Sequence, residues 1–399
     1  MMSQKDIESY IKDQRDDICK LLCELIAIPT VNPPGQSYRQ CVDYLCGKLK
    51  EYNISHQVIE VSIGDYPRYS ILGGTSAERS TLHLHGHYDV VPAQAPDQFV
   101  PRVHGNRIYG RGSSDMKGGL VVLLFALRIV KECFPGIDGQ ISFSLVPDEE
   151  TSGLLGTKYL TASNILPTAA YGMLMPEPTS GAIWHANKGA LTYRITVRGK
   201  SAHVGLVHRG INAFESMITV IQSLLELNKS IQERKTILLV REPEASGSVM
   251  LLGGMASSGA AFNVVPEVCA FTIDRRINPE ESLQEAEAEL MEVFESHRRK
   301  GIQIEVETLQ REGPSYTSPN TKLGETLEHA IQKVTGRASS FEMCPGVLEI
   351  RHFNNRGMPA YAYGPGSLDV SHGPEEYVNI DDLLNCLMVY VDVAARLTR

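Results

Sequence analysis

The chain has 399 residues, enough for two or three domains of about 150 residues each. Lys and Arg number 38 and Asp and Glu 47, and the net charge of −9 argues against a nucleic-acid partner, which needs a basic surface. Hydrophobic residues make up 42% of the chain, which favours a folded globular protein over a disordered one.

Eight cysteines are too few for a disulfide-built scaffold, so we expect reduced thiols and a cytoplasmic location. The charged amino-terminal segment lacks the apolar core of a secretory signal. The longest apolar run, residues 120–127, is far shorter than the roughly 20 residues of a spanning helix. We therefore expect no membrane partner.

Helical spacing of apolar residues predicts a first helix over residues 7–25 and a second with Val42, Leu45 and Leu49 on one face. Short apolar runs bounded by turn residues then predict strands at 56–61, 69–74, 81–87, 140–146 and 169–175. A buried helix is predicted over residues 118–130. Strands that alternate with helices favour an α/β fold, with a mixed sheet covered by helices.

The pattern changes near residue 187. A strand over 189–199 alternates apolar and polar residues, which is typical of a sheet with one wet face. The predicted elements that follow are a helix at 212–227, strands at 249–252 and 268–277, a helix at 283–297 and a strand at 302–309. This β-α-β-β-α-β order is typical of a two-layer, ferredoxin-like α+β unit. We predict a catalytic domain in two parts, 1–186 and 312–399, interrupted by an inserted domain over 187–311.

Residue types that bind metals follow several predicted strands or turns. His87 and Asp89 lie at the end of the strand at 81–87, on the same side of the backbone. A carboxylate two residues from a ligand histidine can accept its second N–H. His83 and His85 share that face by parity, so three histidines compete for the role, and each one alone could be an ordinary polar residue.

Four further places carry acidic or histidine side chains. Asp115 lies in a glycine-rich loop, Glu149 and Glu150 follow the strand at 140–146, and Glu177 follows the strand at 169–175. His372 lies in a loop near the carboxyl terminus. Of two adjacent glutamates at a strand end, one can bind a metal while its neighbour takes a proton from water.

Each of these places alone is also compatible with an ordinary turn or loop. Together they supply two histidines and three acidic ligand candidates near the carboxyl ends of strands, where α/β folds place their active sites. A two-metal site needs about this set of ligands. Imidazole and carboxylate without thiolate suit zinc and also accept cobalt or manganese. We therefore predict two divalent metal ions.

A series of motifs then reveals a resemblance. In chain order they read LCELIAIPTVNPPG, HGHYDVVP, GRGSSDMKGG, PDEETSG, PEPTSG, GKSAHVG, FNVVPE with IDRR, and YGPG followed by SHGPEEYV. The sequence resembles the M20 family of metallo-amidohydrolases, the family of acetylornithine deacetylase, succinyl-diaminopimelate desuccinylase and carboxypeptidase G2. The resemblance extends from residue 21 to residue 378.

The resemblance implies a role for each candidate. His87 and Glu177 would bind one metal, Glu150 and His372 the other, and Asp115 would bridge the two. Asp89 would orient His87, and Glu149 would be the general base. In this family the peptide bond after the bridging aspartate is usually cis.

The resemblance also assigns residues outside the metal centre. His203 matches a histidine of the inserted domain, often supplied by the partner subunit, that stabilises the oxyanion. Asn263 and Arg276 match substrate-binding positions of that domain, and we also expect Arg351 to contact substrate. The inserted domain is the usual dimer surface of the family, so a homodimer is expected.

Two stretches depart from the family pattern. Relatives commonly carry threonine and aspartate where this chain has Leu348 and Glu349, and the paired arginines of the desuccinylases match Asn187 and Lys188. Both changes remove groups that would bind a second carboxylate of the substrate. They argue against a succinyl substrate.

The sequence therefore predicts a metal-dependent hydrolase that deacylates a small N-acyl amino acid. Within the family, the alternatives are a dipeptidase or carboxypeptidase and a deformylase acting on an aminopyrimidine. A non-catalytic binding protein on the same fold would be expected to lack Glu149 or a ligand, and none is missing. A serine or cysteine hydrolase is a further alternative, but the sequence contains no GxSxG motif. Cys344 has no histidine nearby in sequence that stands out as a partner.

Overall fold

The computed structural model describes residues 4–62, 66–74, 79–134, 140–151, 153–166 and 168–398. The chain divides into two compact units. The first comprises Met1–His185, Thr317–Phe341 and Glu349–Arg399, and the second comprises Ala186–Tyr316 and Glu342–Leu348.

The helices, in chain order, are α1 (Gln4–Asp13), α2 (Arg15–Ile26), α3 (Tyr38–Glu51), α4 (Lys117–Cys133), α5 (Thr157–Ala162), α6 (Ala213–Gln232), α7 (Leu283–Arg298), α8 (Lys322–Thr335), α9 (Ile350–Asn354) and α10 (Ile380–Leu397).

The strands are β1 (His56–Val61), β2 (Arg68–Gly74), β3 (Arg79–His87), β4 (Arg102–His104), β5 (Arg107–Tyr109), β6 (Ile141–Val146), β7 (Thr168–Pro178), β8 (Ile183–Asn187), β9 (Gly189–Arg198), β10 (Val249–Ser258), β11 (Val268–Ile277), β12 (Gln303–Glu312), β13 (Ser315–Tyr316), β14 (Phe341–Cys344), β15 (Ala360–Gly364) and β16 (Tyr377–Asn379).

The first unit is built on a mixed sheet with the strand order β1-β2-β6-β3-β7-β15-β8. Its central strands β6, β3, β7 and β15 run parallel, while β1 and β2 are antiparallel. The helix α4 packs on β3, β7 and α10. The predicted mixed sheet covered by helices is confirmed, but the single helix predicted over 7–25 is wrong, because the helix breaks at Gln14 into α1 and α2.

One glycine shows how closely α4 lies against the sheet. A Cβ at Gly119 would come within 2.2 Å of the Pro176 carbonyl oxygen on β7. Only glycine therefore allows this approach, which places the start of α4 beside the end of the strand that carries Glu177.

The other face of β3 and β6 carries a line of buried polar side chains. His83 contacts Ser142 through Nδ1 and Ser144 through Nε2, both at 2.8 Å. His85 Nδ1 lies 2.6 Å from the same Ser144 hydroxyl, and His85 Nε2 lies 2.7 Å from Glu349 Oε2. These hydrogen bonds satisfy polar groups that would be costly to bury unpaired. We call this set the polar ladder.

The second unit contains an antiparallel sheet in the order β10-β11-β9-β12, with helices α6 and α7 packed on it. The predicted β-α-β-β-α-β order is confirmed, and β11 occupies the predicted residues. Asn212 and Ser282 cap the two helices through side-chain oxygens that accept backbone N–H groups. The alternate residues of β9 form its core side, beginning at Leu191.

All eight cysteines are free thiols. Within the described ranges, no helix combines the length and the apolar character required to cross a bilayer.

Candidate metal centre

The candidate ligands meet at one edge of the large sheet. His87 is the last residue of β3, Glu150 follows β6 by four residues, and Glu177 lies at the end of β7. Because β3, β6, β7 and β15 are parallel, their carboxyl ends share this edge. Asp115 arrives from the loop before α4, and His372 from the loop after β15.

Three side chains form a first group around His87. Its Nε2 lies 3.4 Å from Asp115 Oδ1 and 3.6 Å from Glu177 Oε1. All three residues are buried, and their ligand atoms lie within 4.8 Å of one another. Ligands bonded at about 2.0–2.2 Å to one zinc ion lie about 3.3–3.6 Å apart in tetrahedral geometry, so the spacing fits a metal.

A second group shares the carboxylate of Asp115. His372 Nε2 lies 3.4 Å from Asp115 Oδ2 and 3.3 Å from Glu150 Oε2. Asp115 thus presents one oxygen to each group, as a bridging carboxylate does. The Asp115–Met116 peptide bond is cis.

Buried polar atoms at the centre provide a test of whether a metal fits. Among the residues that the structure describes, His87 Nε2, Glu150 Oε1 and Glu177 Oε1 are buried without a hydrogen-bond partner. Such orphaned donors and acceptors are costly unless something satisfies them. Imidazole nitrogen and carboxylate oxygen are ligands for divalent cations, so the residues fit such ions.

The charges of the centre shift the pKa values of its members. The carboxylates of Asp115 and Glu150 accept hydrogen bonds from His372, and these bonds outweigh its burial and raise its pKa to about 10. Burial raises the pKa of Glu150 to about 7, although the hydrogen bond to His372 opposes this. Burial, followed by the charge of Asp115, raises the pKa of Glu177 well above its usual range. The cluster is therefore acidic and depends on positive charge to neutralise it.

Asp89 holds the Glu149–Glu150 segment. Its carboxylate accepts the backbone N–H groups of Glu149 and Glu150, each at 3.2 Å, and the side-chain amide of Asn32 at 2.9 Å. The Nδ1 of His87 lies nearest to the Asp89 main-chain oxygen, at 3.1 Å, with the carboxylate at 3.4 Å. Asp89 therefore contacts His87 as well as the following glutamates.

Glu149 lies beside the first group without belonging to either three-residue set. Its Oε2 is 3.9 Å from His87 Nε2, and its side chain is 16% exposed. Burial raises the pKa of Glu149 well above its usual range; the charge of His87 opposes this, and that of Glu177 adds to it. Glu149 therefore offers a carboxyl group with a raised pKa beside the first ligand group, where it can act in general acid–base chemistry.

A family model described as Peptidase family M20/M25/M40 matches residues 83–396. The chain belongs to this family.

Relatives and a solved structure agree with the M20 assignment. The chain is 28% identical to an acetylornithine deacetylase from Pectobacterium carotovorum, covering 89% of this chain and 91% of the relative. It is 24% identical to a probable succinyl-diaminopimelate desuccinylase from Staphylococcus epidermidis, covering 94% and 96%. An M20 family metallo-carboxypeptidase from Sulfolobus solfataricus has the same fold, with a TM-score of 0.78, 18% identity and coverage of 94% and 98%. This M20 chain is therefore a hydrolase of amide or peptide bonds.

The structure places three predicted site residues of the M20 chain in the second unit. His203 is exposed, and its Nδ1 accepts the backbone N–H of Gly205 at 3.1 Å. Asn263 is also exposed and lies beside the bridge between His203 and Val264. Arg276 donates to both Asp274 carboxylate oxygens, at 2.7 and 3.0 Å.

The stretches that depart from the family pattern are engaged within the fold. The Lys188 ammonium donates hydrogen bonds to the carbonyl oxygens of Ala245 and Gly247. The Asn187 side-chain oxygen accepts a hydrogen bond from the Ser315 hydroxyl. Leu348 is buried, and Arg351 is buried on α9. Glu349 joins the polar ladder; His85 offsets the effect of burial and lowers its pKa to about 2.

Two residues at the metal centre were not singled out from the sequence. Arg111 and Glu376 form a buried ion pair, with 2.6 Å between Arg111 Nη1 and Glu376 Oε2. Both lie inside motifs that carry the resemblance, GRGSSDMKGG and SHGPEEYV, but neither is a metal ligand candidate. The signal that could have indicated this pair is the presence of an arginine in one of these motifs and a glutamate in the other.

Proposed function

We propose that this M20 chain is a dinuclear metal-dependent amidohydrolase that removes a short acyl group from an N-acyl amino acid. The observation that carries the proposal is Asp115, whose two carboxylate oxygens face two separate ligand groups. The similarity to acetylornithine deacetylases supports the substrate class.

His87, Asp115 and Glu177 would hold one ion, and Asp115, Glu150 and His372 the other. We propose zinc, with cobalt or manganese as substitutes, because the ligands are imidazole and carboxylate. When bound, such ions polarise the scissile carbonyl and make water more acidic.

Glu149 is the proposed proton carrier. It accepts a proton from the attacking water and passes it to the leaving amine nitrogen. Asp89 fixes the backbone of Glu149 through the N–H contact at 3.2 Å, so the carboxylate keeps its position beside His87.

The substrate proposal is tested with matched N-acetyl, N-formyl and N-succinyl amino acids, dipeptides, and the descarboxy analogue of the best substrate. Acetyl or formyl compounds should be hydrolysed faster than succinyl ones, because Lys188 and Asn187 are engaged with the fold. Faster cleavage of dipeptides would indicate a peptidase, and a strong preference for succinyl would contradict the proposal. Equal rates without the carboxylate would favour an aminopyrimidine deformylase.

Arg276 is proposed to bind the substrate carboxylate, with Asn263 and Arg351 as further substrate contacts. The ion pair with Asp274 holds its guanidinium in a fixed orientation. Arg276→Lys should lower kcat/KM by about ten- to a hundredfold, since the ammonium cannot make two parallel bonds to a carboxylate. The control is Arg194→Lys, which alters an exposed pair with Glu307 in the same sheet. Equal kcat/KM in both variants would exclude Arg276 from substrate binding.

We propose a cytoplasmic homodimer in which the inserted domain, residues 187–311, forms the dimer surface and a lid. The free thiols support a cytoplasmic location, because cysteines stay reduced in that compartment. Exposed apolar side chains on the second unit, among them Val204, Val207, Ile211 and a fully exposed Phe262, suit an interface. His203 lies next to them and would stabilise the oxyanion in the partner's site.

Subunit mixing tests this role of His203. A His203→Ala chain and a Glu149→Ala chain should each be inactive alone. After exchange, random mixing should restore about a quarter of the sites, because half of the dimers are mixed and each has one intact composite site. The control replaces the second chain with one carrying both substitutions, which should restore nothing. No recovery in demonstrated mixed dimers would contradict a role in trans.

A further inference from the structure

The buried carboxylate of Glu376 is bound by the loop that carries Asp115. Its Oε1 accepts the backbone N–H groups of Gly112, Ser114 and Asp115, at 3.0, 2.9 and 3.0 Å. Its Oε2 accepts Gly112 N–H at 3.0 Å and Arg111 Nη1 at 2.6 Å. Charge-assisted bonds from successive backbone groups fix the path of a loop that has no regular structure of its own.

The same guanidinium also reaches the loop that carries His372. Arg111 Nη2 donates to the His372 carbonyl oxygen at 3.2 Å and lies 3.5 Å from that of Pro92. One branch of Arg111 therefore holds the carboxylate that fixes Asp115, and the other branch holds the backbone of His372. The two ligands are 257 positions apart in the sequence, and Arg111 and Glu376 together join them. The hydroxyl of Ser371 also contacts that of Ser114, at 3.3 Å.

We propose that the Arg111–Glu376 pair is a positioning element that sets the distance between Asp115 and His372, and so controls occupancy of the metal position that needs both residues. The inference rests on the dinuclear centre proposed above. The position formed by His87, Asp115 and Glu177 includes no residue of the His372 loop. Substitutions of Arg111 and of Glu376 should therefore differ in how they change the affinity of the two metal positions.

The substitution that separates these roles is Arg111→Lys. It keeps the positive charge near Glu376, but a single ammonium cannot reproduce the fork that joins both loops. The second metal equivalent should bind about 10- to 100-fold more weakly, while the first keeps its affinity. Glu376→Gln should weaken both equivalents, because the amide cannot accept all the N–H groups and Asp115 serves both positions.

The control is Arg102→Lys. Arg102 pairs with Glu375, the neighbour of Glu376, at 3.1 Å, but this pair is exposed. It is the same change, Arg to Lys, in a pair whose acidic partner neighbours Glu376, and metal binding should match the parent protein.

Binding is measured on the metal-free full chain by equilibrium dialysis against zinc, with elemental analysis, alongside thermal unfolding of each metal-free variant. Two tight equivalents in Arg111→Lys would overturn the proposal. So would an equal weakening of both equivalents, whatever the unfolding temperature, because the proposal requires the first equivalent to keep its affinity. If Arg111→Lys does not fold, Glu376→Gln decides: unchanged binding overturns the proposal, and weakening of both equivalents without a lower unfolding temperature supports it. One equivalent in the parent protein would instead contradict the dinuclear centre itself.

Discussion

Replacing Glu149 with glutamine should abolish most turnover while leaving the metal content unchanged. The carboxylate lies 3.9 Å from His87 but outside both ligand groups, so the amide should not disturb metal binding. An amide cannot accept a proton and pass it on, and general acid–base catalysis contributes about 10²–10⁴-fold. We therefore expect kcat to fall by about that factor. Steady-state kinetics and elemental analysis of the same preparation check this.

The neighbouring residue supplies the matched control. Glu150→Gln makes the same chemical change one residue along, but it removes an oxygen 3.3 Å from His372 Nε2. This variant should lose metal as well as activity, and excess metal should restore part of the activity. Near-normal kcat in Glu149→Gln would contradict its role as the base. Loss of metal from both variants would indicate that Glu149 is also a ligand.

Removing the metal with a chelator should abolish hydrolysis, and adding zinc, cobalt or manganese should restore it. The apoprotein should also unfold at a lower temperature, because the buried acidic groups lose their counter-charge. A ligand that binds only the folded state stabilises it by about 4 kcal/mol at a thousandfold excess over its dissociation constant. Differential scanning calorimetry and activity assays check both effects. Full activity after demonstrated metal loss would favour a serine or cysteine hydrolase.

Metal uptake should also depend on pH. In the metal-free site, His372 has its pKa raised to about 10 by Asp115 and Glu150. Below that pKa the imidazole carries a proton that an incoming ion must displace, so affinity should rise with pH and fall as pH decreases. Proton release is measured by titration calorimetry in two buffers of different ionisation enthalpy. Identical heats in both buffers would contradict this account.

The long elements could be predicted from the sequence because each repeats a pattern. The alternation in β11 marks one buried and one wet face along its whole length, so even its ends were correct. Strands of two to four residues, such as β13 and β16, are too short to show such a period. They form because they pair with neighbouring strands, which a local sequence pattern does not reveal. The break between α1 and α2 was missed because the same apolar face continues across Gln14.

The candidate site was predictable only in part, for a similar reason. Ligand types at strand ends are visible in the sequence, but parity placed His83, His85 and His87 on one face without separating them. The structure separates them by their partners: His83 and His85 enter the polar ladder, and only His87 reaches the acidic cluster. Glu376 could not be placed from local pattern, because its partners include backbone N–H groups more than 260 residues earlier in the chain.

The polar ladder has a consequence for strand register. Two parallel strands with apolar faces can slide past each other by two residues and still bury similar side chains. Here each imidazole between β3 and β6 meets a specific hydroxyl, as in His83 with Ser142 and His85 with Ser144. A two-residue shift would move one of the two imidazoles away from both serines and leave it without that partner inside the protein, which is costly. The polar ladder thus fixes the register of β3 against β6. This register determines the position of His87, at the end of β3, relative to Glu150, which follows β6.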